Sequence, residues 1–161
     1  AGAAPAAAEP PSRLAGQVTD TAGVLSPADE RAVEQALERL QQDAQVQLWV
    51  VYVGSFDGAG AQRWAEDAAI ASDLGVDDVL LAVAVQDRAY SYSVDEGFRV
   101  DEAGMEQVGR DTEDRLAQDA WADAAVAGAD SLRSELAGAG SGSGSGSGAG
   151  LGAGSGAALV V

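Results

Sequence analysis

The apolar run Val79-Leu80-Leu81-Ala82-Val83-Ala84-Val85 constrains the fold more than any other feature of the chain. A strand that is apolar on both faces belongs in the middle of a covered sheet. Gln86-Asp87-Arg88 then turns the chain, and Tyr90, Tyr92 and Val94 alternate with Ser91 and Ser93. That alternation predicts an antiparallel neighbour joined through a tight hairpin, with one face buried. Upstream, Val46 to Val53 reads as a second buried strand, followed by a turn over Gly54 to Gly60. Trp64, Ala65, Ala68 and Ala69 form the stripe of a helix ending near Asp73, so strand, helix and strand predict a right-handed parallel crossover.

The flanks supply more helices. Ser26 can cap, Pro27 suits the first helical position, and Asp29 and Glu30 complement the helix dipole. Ala32, Val33, Ala36, Leu37 and Leu40 continue that helix to about Asp43. Met105, Val108, Thr112 and Leu116 mark a helix from Glu102, and Trp121 to Leu136 a last one. The expected fold is α/β: a three-layer α/β/α sandwich, with a small mixed sheet carrying helices on both faces. Trp49, Tyr52, Tyr90 and Tyr92 fall at strand spacing, and Trp64 and Trp121 on helix stripes, which makes them core or sheet-face residues.

Residues 1–12 are rich in Ala and Pro, and residues 138–161 are mostly Gly, Ser and Ala. Both read as disordered linkers around a domain over residues 13–137, because neither holds enough side-chain area to offset its ordering entropy. A Gly/Ser coil of about 20 residues spans roughly 25 Å. Ala1 to Pro11 looks like the segment left after cleavage of a signal peptide. Ala157-Ala158-Leu159-Val160-Val161 is either the first turn of a membrane helix or a simple tail. The expectation is an extracytoplasmic monomer, secreted or held at the cell membrane through a segment outside this sequence.

Composition narrows the chemistry. The chain has no Cys, His, Lys or Asn, and all nine basic residues are Arg. A Ser-His-Asp or Cys-His nucleophile needs an imidazole, and Schiff-base chemistry needs a lysine. Zinc and copper sites want imidazole or thiolate, so only oxygen ligands for hard cations such as Ca²⁺ or Mg²⁺ are present. The net charge of −17 repels nucleic acid and anionic headgroups and attracts cations and basic protein surfaces.

Gly54, Gly58 and Gly60 lie between a strand and a helix, but their spacing is not that of a phosphate loop, and they read as an ordinary turn. Ser55, Asp57 and Asp87 follow the first two strands, where open α/β sheets usually carry their crevice. The opposite end collects Asp77 and Asp78 before the central strand and Asp95 and Glu96 after its antiparallel neighbour. Asp20 joins them if the N-terminal segment packs there. Converging carboxylates raise one another's pKa values and favour a bound cation; solvated turn acids are the plainer alternative.

Several segments resemble the TPM domain family. They are Val18-Thr19-Asp20-Thr21-Ala22-Gly23-Val24-Leu25-Ser26, Leu74 through Ala84 with Asp87-Arg88, Val94-Asp95-Glu96-Gly97 with Asp101, and Trp121-Ala122-Asp123-Ala124-Ala125. The resemblance covers about residues 14 to 137. It implies an α/β/α fold and a secreted or lumenal domain, often ahead of a Gly-rich segment and a membrane helix. It also implies either an accessory role on membrane complexes or, as in a plant member, acid phosphatase activity. The family's acidic pocket maps onto Asp20, Asp78 and Asp101, with Asp77 and Glu96 beside them. Two stretches depart from the family pattern: Asp-Asn-Gly has become Val76-Asp77-Asp78, and Gly-Tyr-Gly has become Asp95-Glu96-Gly97. The leading expectation is a tethered accessory module binding a divalent cation or a basic partner at this acidic edge. The first alternative is a weak metal-dependent phosphatase, with Asp20 or Asp78 as nucleophile or base, and the second is a structural spacer.

Overall fold

The computed structural model describes residues 9–139 and the backbone of 159 and 160. The elements are β1 (Val18–Asp20), α1 (Pro27–Ala44), β2 (Gln47–Val53), α2 (Ala61–Ala71), β3 (Asp78–Ala84), β4 (Ala89–Val94), α3 (Glu102–Leu116), α4 (Trp121–Ala139) and β5 (Leu159–Val160). They form one mixed sheet of order β1-β2-β3-β4-β5. The pairs β1/β2 and β2/β3 are parallel, and β3/β4 and β4/β5 are antiparallel.

The apolar run takes the central position, as its two-sided character requires. Leu81 and Val83 face a core built with α1, α3 and α4, while Leu80 and Ala82 face a second core built with α2. The result is the expected three-layer α/β/α sandwich, with three helices on one face and one on the other. The strands β1, β2 and β3 step in one direction across the sheet, yet α1 and α2 lie on opposite faces. The two parallel crossovers therefore have opposite hands, and only one of them can be the common right-handed kind.

Local signals explain the helix ends. The Ser26 hydroxyl accepts from Asp29 N, and Asp29 Oδ2 accepts from Ser26 N at 3.0 Å, a reciprocal capping box with Pro27 at the first position. The hydrogen bond from the Ser26 side chain, then that from its backbone, holds the Asp29 carboxyl below its ordinary value. Residues on either side of position 13 pack on the domain: Glu9 O accepts the Trp64 indole N–H at 2.8 Å, and Leu14 N donates to Ser72 Oγ. Helix α4 continues through Gly138 and Ala139. Residues 1–8, 140–158 and 161, which hold most of the two predicted linkers, lie outside the described residues.

Three tyrosine hydroxyls lock the larger core. Tyr52 donates to Trp121 O at 2.6 Å, Tyr90 donates to Gly109 O at 3.0 Å, and the hydroxyls of Tyr92 and Thr112 share a 2.7 Å bond. A Cβ at Gly128 would meet Tyr92 Oη and Thr112 Oγ1 (3.1 Å), so α4 reaches α3 and the sheet only because this position lacks a side chain. Gly128→Ala is expected to cost about 1–3 kcal/mol through overpacking, read as a lower melting temperature. Adding Tyr92→Phe should restore part of the loss; if it restores none, the hydroxyl contact is not its source.

Burial pushes all three hydroxyls well above their ordinary value of 10.0. Because the folded values are raised, the contribution to stability is complete below pH 10 and declines as the pH climbs above it. These are the only tyrosines in the chain. Phenolate absorbance near 295 nm should thus appear together with loss of circular dichroism, and a separate titration near pH 10 in folded protein would contradict their burial.

Candidate functional site

The sheet register separates the predicted acidic cluster. Asp20 pairs with Tyr52 near the carboxyl end of β2, whereas Asp78 pairs with Gln47 at its amino end. Five residues along a strand amount to roughly 16 Å. The two also face different layers: Asp20 lies on the α1 side with Val18, and Asp78 on the α2 side with Leu80. Asp20 therefore does not join the other four, because a parallel β1 carries its last residue to the end where β2 finishes.

Each of the separated acids has local work. Asp20 accepts from Val24 N (3.2 Å) and Leu25 N (2.8 Å), which shapes the loop into α1. At the same end Asp87 accepts from Phe56 N at 2.7 Å and Ser55 Oγ at 3.0 Å, and Arg88 pairs with Asp119 at 2.8 Å. The conventional crevice position is therefore cross-braced, and Asp57 there is solvent-exposed with a left-handed backbone (φ 56°).

The amino end of β3 holds Asp77, Asp78, Glu96 and Asp101, but they point to different partners. Asp78 accepts from Gly75 N at 2.7 Å and from the Trp49 indole at 3.5 Å. Asp77 stands 3.7 Å from Arg99, which donates to Ala44 O at the end of α1. Asp101 caps α3 by accepting from Gly104 N at 2.9 Å. Among the described residues, no group of three or more acidic side chains is placed to hold a metal ion.

What this end does form is a groove of about 540 Å³ between the last turns of α2 and the end of β4. Ala69, Ile70 and Leu74 give it an apolar lining, and Glu66, Asp78, Asp95 and Glu96 an acidic one. Ile70 is 75% exposed, the most open large apolar side chain among the described residues. Val76, outside the groove lining, is also exposed. Of the acids grouped from the sequence, Asp78, Asp95 and Glu96 line this groove; Glu66, Ile70 and Leu74 were not singled out with them as ligand-binding. The one signal in the sequence is that Ile70 falls off the Trp64/Ala65/Ala68 stripe, on the side of α2 away from the core.

The model of the TPM domain family matches residues 18–135. The chain belongs to that family. UPF0603 proteins from two strains of Mycobacterium tuberculosis are 42% identical over 130 residues, covering 80% of this chain and 20% of theirs. The chain thus spans about a fifth of the length of these curated relatives. The solution structure of the N-terminal domain of a Corynebacterium glutamicum protein is 27% identical with a TM-score of 0.68, covering 86% of this chain and 91% of that one. An N-terminal domain from P. gingivalis, at 20% identity and a TM-score of 0.67, covers 76% of this chain and 82% of its own, and shows the same fold. TPM membership and the α/β/α architecture therefore agree.

The bonding pattern separates shape-giving acids from open ones. Asp20→Ala should lower stability by about 1–3 kcal/mol in denaturant melts, because two backbone N–H groups lose a charged acceptor. Glu96→Gln should leave the melt unchanged within about 0.5 kcal/mol. Equal effects from the two would remove this distinction.

Proposed function

We propose that this TPM domain is an accessory binding module that receives a cationic protein segment in the groove between α2 and β4. The carrying observation is the combination of an apolar lining at Ala69, Ile70 and Leu74 with Glu66, Asp78, Asp95 and Glu96 around it. Apolar contact there supplies affinity, and the acids select a basic partner and speed its approach. The net charge of −17 extends the same field over the surface. The scattering of the five predicted acids favours this reading over a Ca²⁺ or Mg²⁺ site and over a metal-dependent phosphatase.

The proposed setting is extracytoplasmic, with the domain tethered to a membrane through a Gly/Ser-rich arm. Its support is the composition of residues 138–161 and the family resemblance. Among the described residues, no helix is long and apolar enough to cross a membrane.

The test is a titration of isotope-labelled protein with a peptide of alternating Leu and Lys, followed by amide NMR. Saturable shifts at Glu66, Ile70, Asp95 and Glu96 are expected. Combining Glu66→Gln with Glu96→Gln should weaken binding about two- to tenfold, as for rim charges. Absence of a peptide response, with saturable calcium shifts at Asp78 and Asp101 instead, would overturn the proposal in favour of a cation site. Hydrolysis of an aryl phosphate that disappears in Asp78→Asn would overturn it in favour of an enzyme.

A further inference from the structure

Among the described residues, five other than glycine take a left-handed backbone, and three of them are aspartates in exposed turns. They are Asp57 (φ 56°), Asp73 (φ 55°) and Asp119 (φ 55°). Aspartate adopts this conformation more readily than most residues. What separates the three is the state of two groups, the carboxylate and the backbone N–H that follows it.

At two of the sites both groups are engaged. Asp73 pairs with Arg13 at 3.1 Å, and Leu74 N donates to Ala69 O at 3.1 Å. Asp119 pairs with Arg88 at 2.8 Å, and Ala120 N donates to Arg115 O at 3.1 Å. At Asp57 neither is held: among the described residues its carboxylate has no hydrogen bond or ion pair, and Gly58 N has no acceptor. Gly58 (φ 73°) is also uncrowded, since even a Cβ there would meet open space. Asp57-Gly58 is the only Asp-Gly step in the chain.

An aspartyl carboxyl can react with the backbone nitrogen that follows it. That nitrogen must lose its proton and reach Cγ, which a hydrogen bond to a helix carbonyl opposes. The carboxyl must give up an oxygen as water, which an arginine partner opposes by keeping it ionised. We infer that Asp57-Gly58 is a modification site, at which the folded domain converts aspartate to isoaspartate. Gly58 N bonds to Asp57 Cγ, the Cγ–OH bond breaks, and the hydroxyl leaves with the amide proton as water. The cyclic succinimide then takes up one water. Opening at Cγ restores aspartate, whereas opening at the main-chain carbonyl leaves Gly58 joined through Cγ and frees an α-carboxylate.

The product lengthens the main chain by one methylene inside the Phe56–Ala59 turn, which Ala59 N closes on Phe56 O at 3.1 Å. Phe56 is buried, and its ring centroid lies 5.1 Å from that of Trp64 in the first turn of α2. The rearrangement therefore acts where α2 begins. The proposed binding groove lies at the other end of that helix, so the inference stands apart from what binds there.

Full-length protein is aged for weeks in mildly acidic buffer at body temperature, with circular dichroism confirming that it stays folded. It is then treated with an isoaspartyl methyltransferase and isotope-labelled S-adenosylmethionine, digested, and mapped by mass spectrometry. Label is expected at Asp57, on the peptide ending at Arg63. Asp73 and Asp119 should carry at least about tenfold less, because each must first release a hydrogen bond and a charged partner. Asp57→Glu should remove the label, since glutamate closes the corresponding ring far more slowly. Ala120→Gly creates a second Asp-Gly step whose N–H is still held by Arg115 O, and Asp119 should remain weakly labelled in it. Absence of label at Asp57 in the aged protein would overturn the site. Label at Asp119 of Ala120→Gly matching that at Asp57 would overturn the selection by hydrogen bonding.

Discussion

Everything in this domain is arranged to cover β3. Its side chains from Val79 to Ala84 are at most 2% exposed, which demands apolar material on both faces and a strand on each side. Helix α2 with Phe56 and Trp64 covers one face, and α1, α3 and α4 cover the other. The polar contacts are subordinate to that cover. Tyr52, Tyr90 and Tyr92 contribute large rings to the core and find acceptors or donors for their hydroxyls on α3 and α4, so little polar capacity is wasted inside.

The same arrangement decides where binding surface remains. Three helices fill one face, while the single helix on the other leaves the end of β4 uncovered beyond its last turn. The groove with Ala69, Ile70 and Leu74 opens there, at the end of the sheet where β3 begins. The opposite end is closed by hydrogen bonds: Asp20 and Asp87 spend their carboxylates on backbone N–H groups of neighbouring loops. A domain with 26 acidic residues thus has acids of two kinds, those that hold loops and those that face solvent around an apolar floor.

Most of the architecture was legible because its signals are local. The capping box at Ser26, the two-faced β3, the alternating β4 and the stripes of α1 to α4 each depend on residues close in sequence. The acidic site was legible only in part. Asp77, Asp78, Asp95 and Glu96 follow from hairpin geometry, which is short-range, and they do share one end. The position of Asp20 depends on the direction in which a three-residue strand pairs, and Val18-Thr19-Asp20 is too short to carry a period that could reveal it. A conditional packing of the N-terminal segment and the family resemblance brought it into the same cluster, and the parallel register with β2 removes it.

By itself, the sequence determined the fold class, the central strand, the helix boundaries within a few residues, and an acidic, thiol- and imidazole-free chemistry. Those properties reside in composition and in periods of two or 3.6 residues, which need no long-range information. Only the tertiary structure decided which faces α1 and α2 take, which acids are spent on loops, and that Ile70 stands open beside β4. Each of those outcomes joins residues distant in sequence, and such contacts are selected by packing the whole core at once.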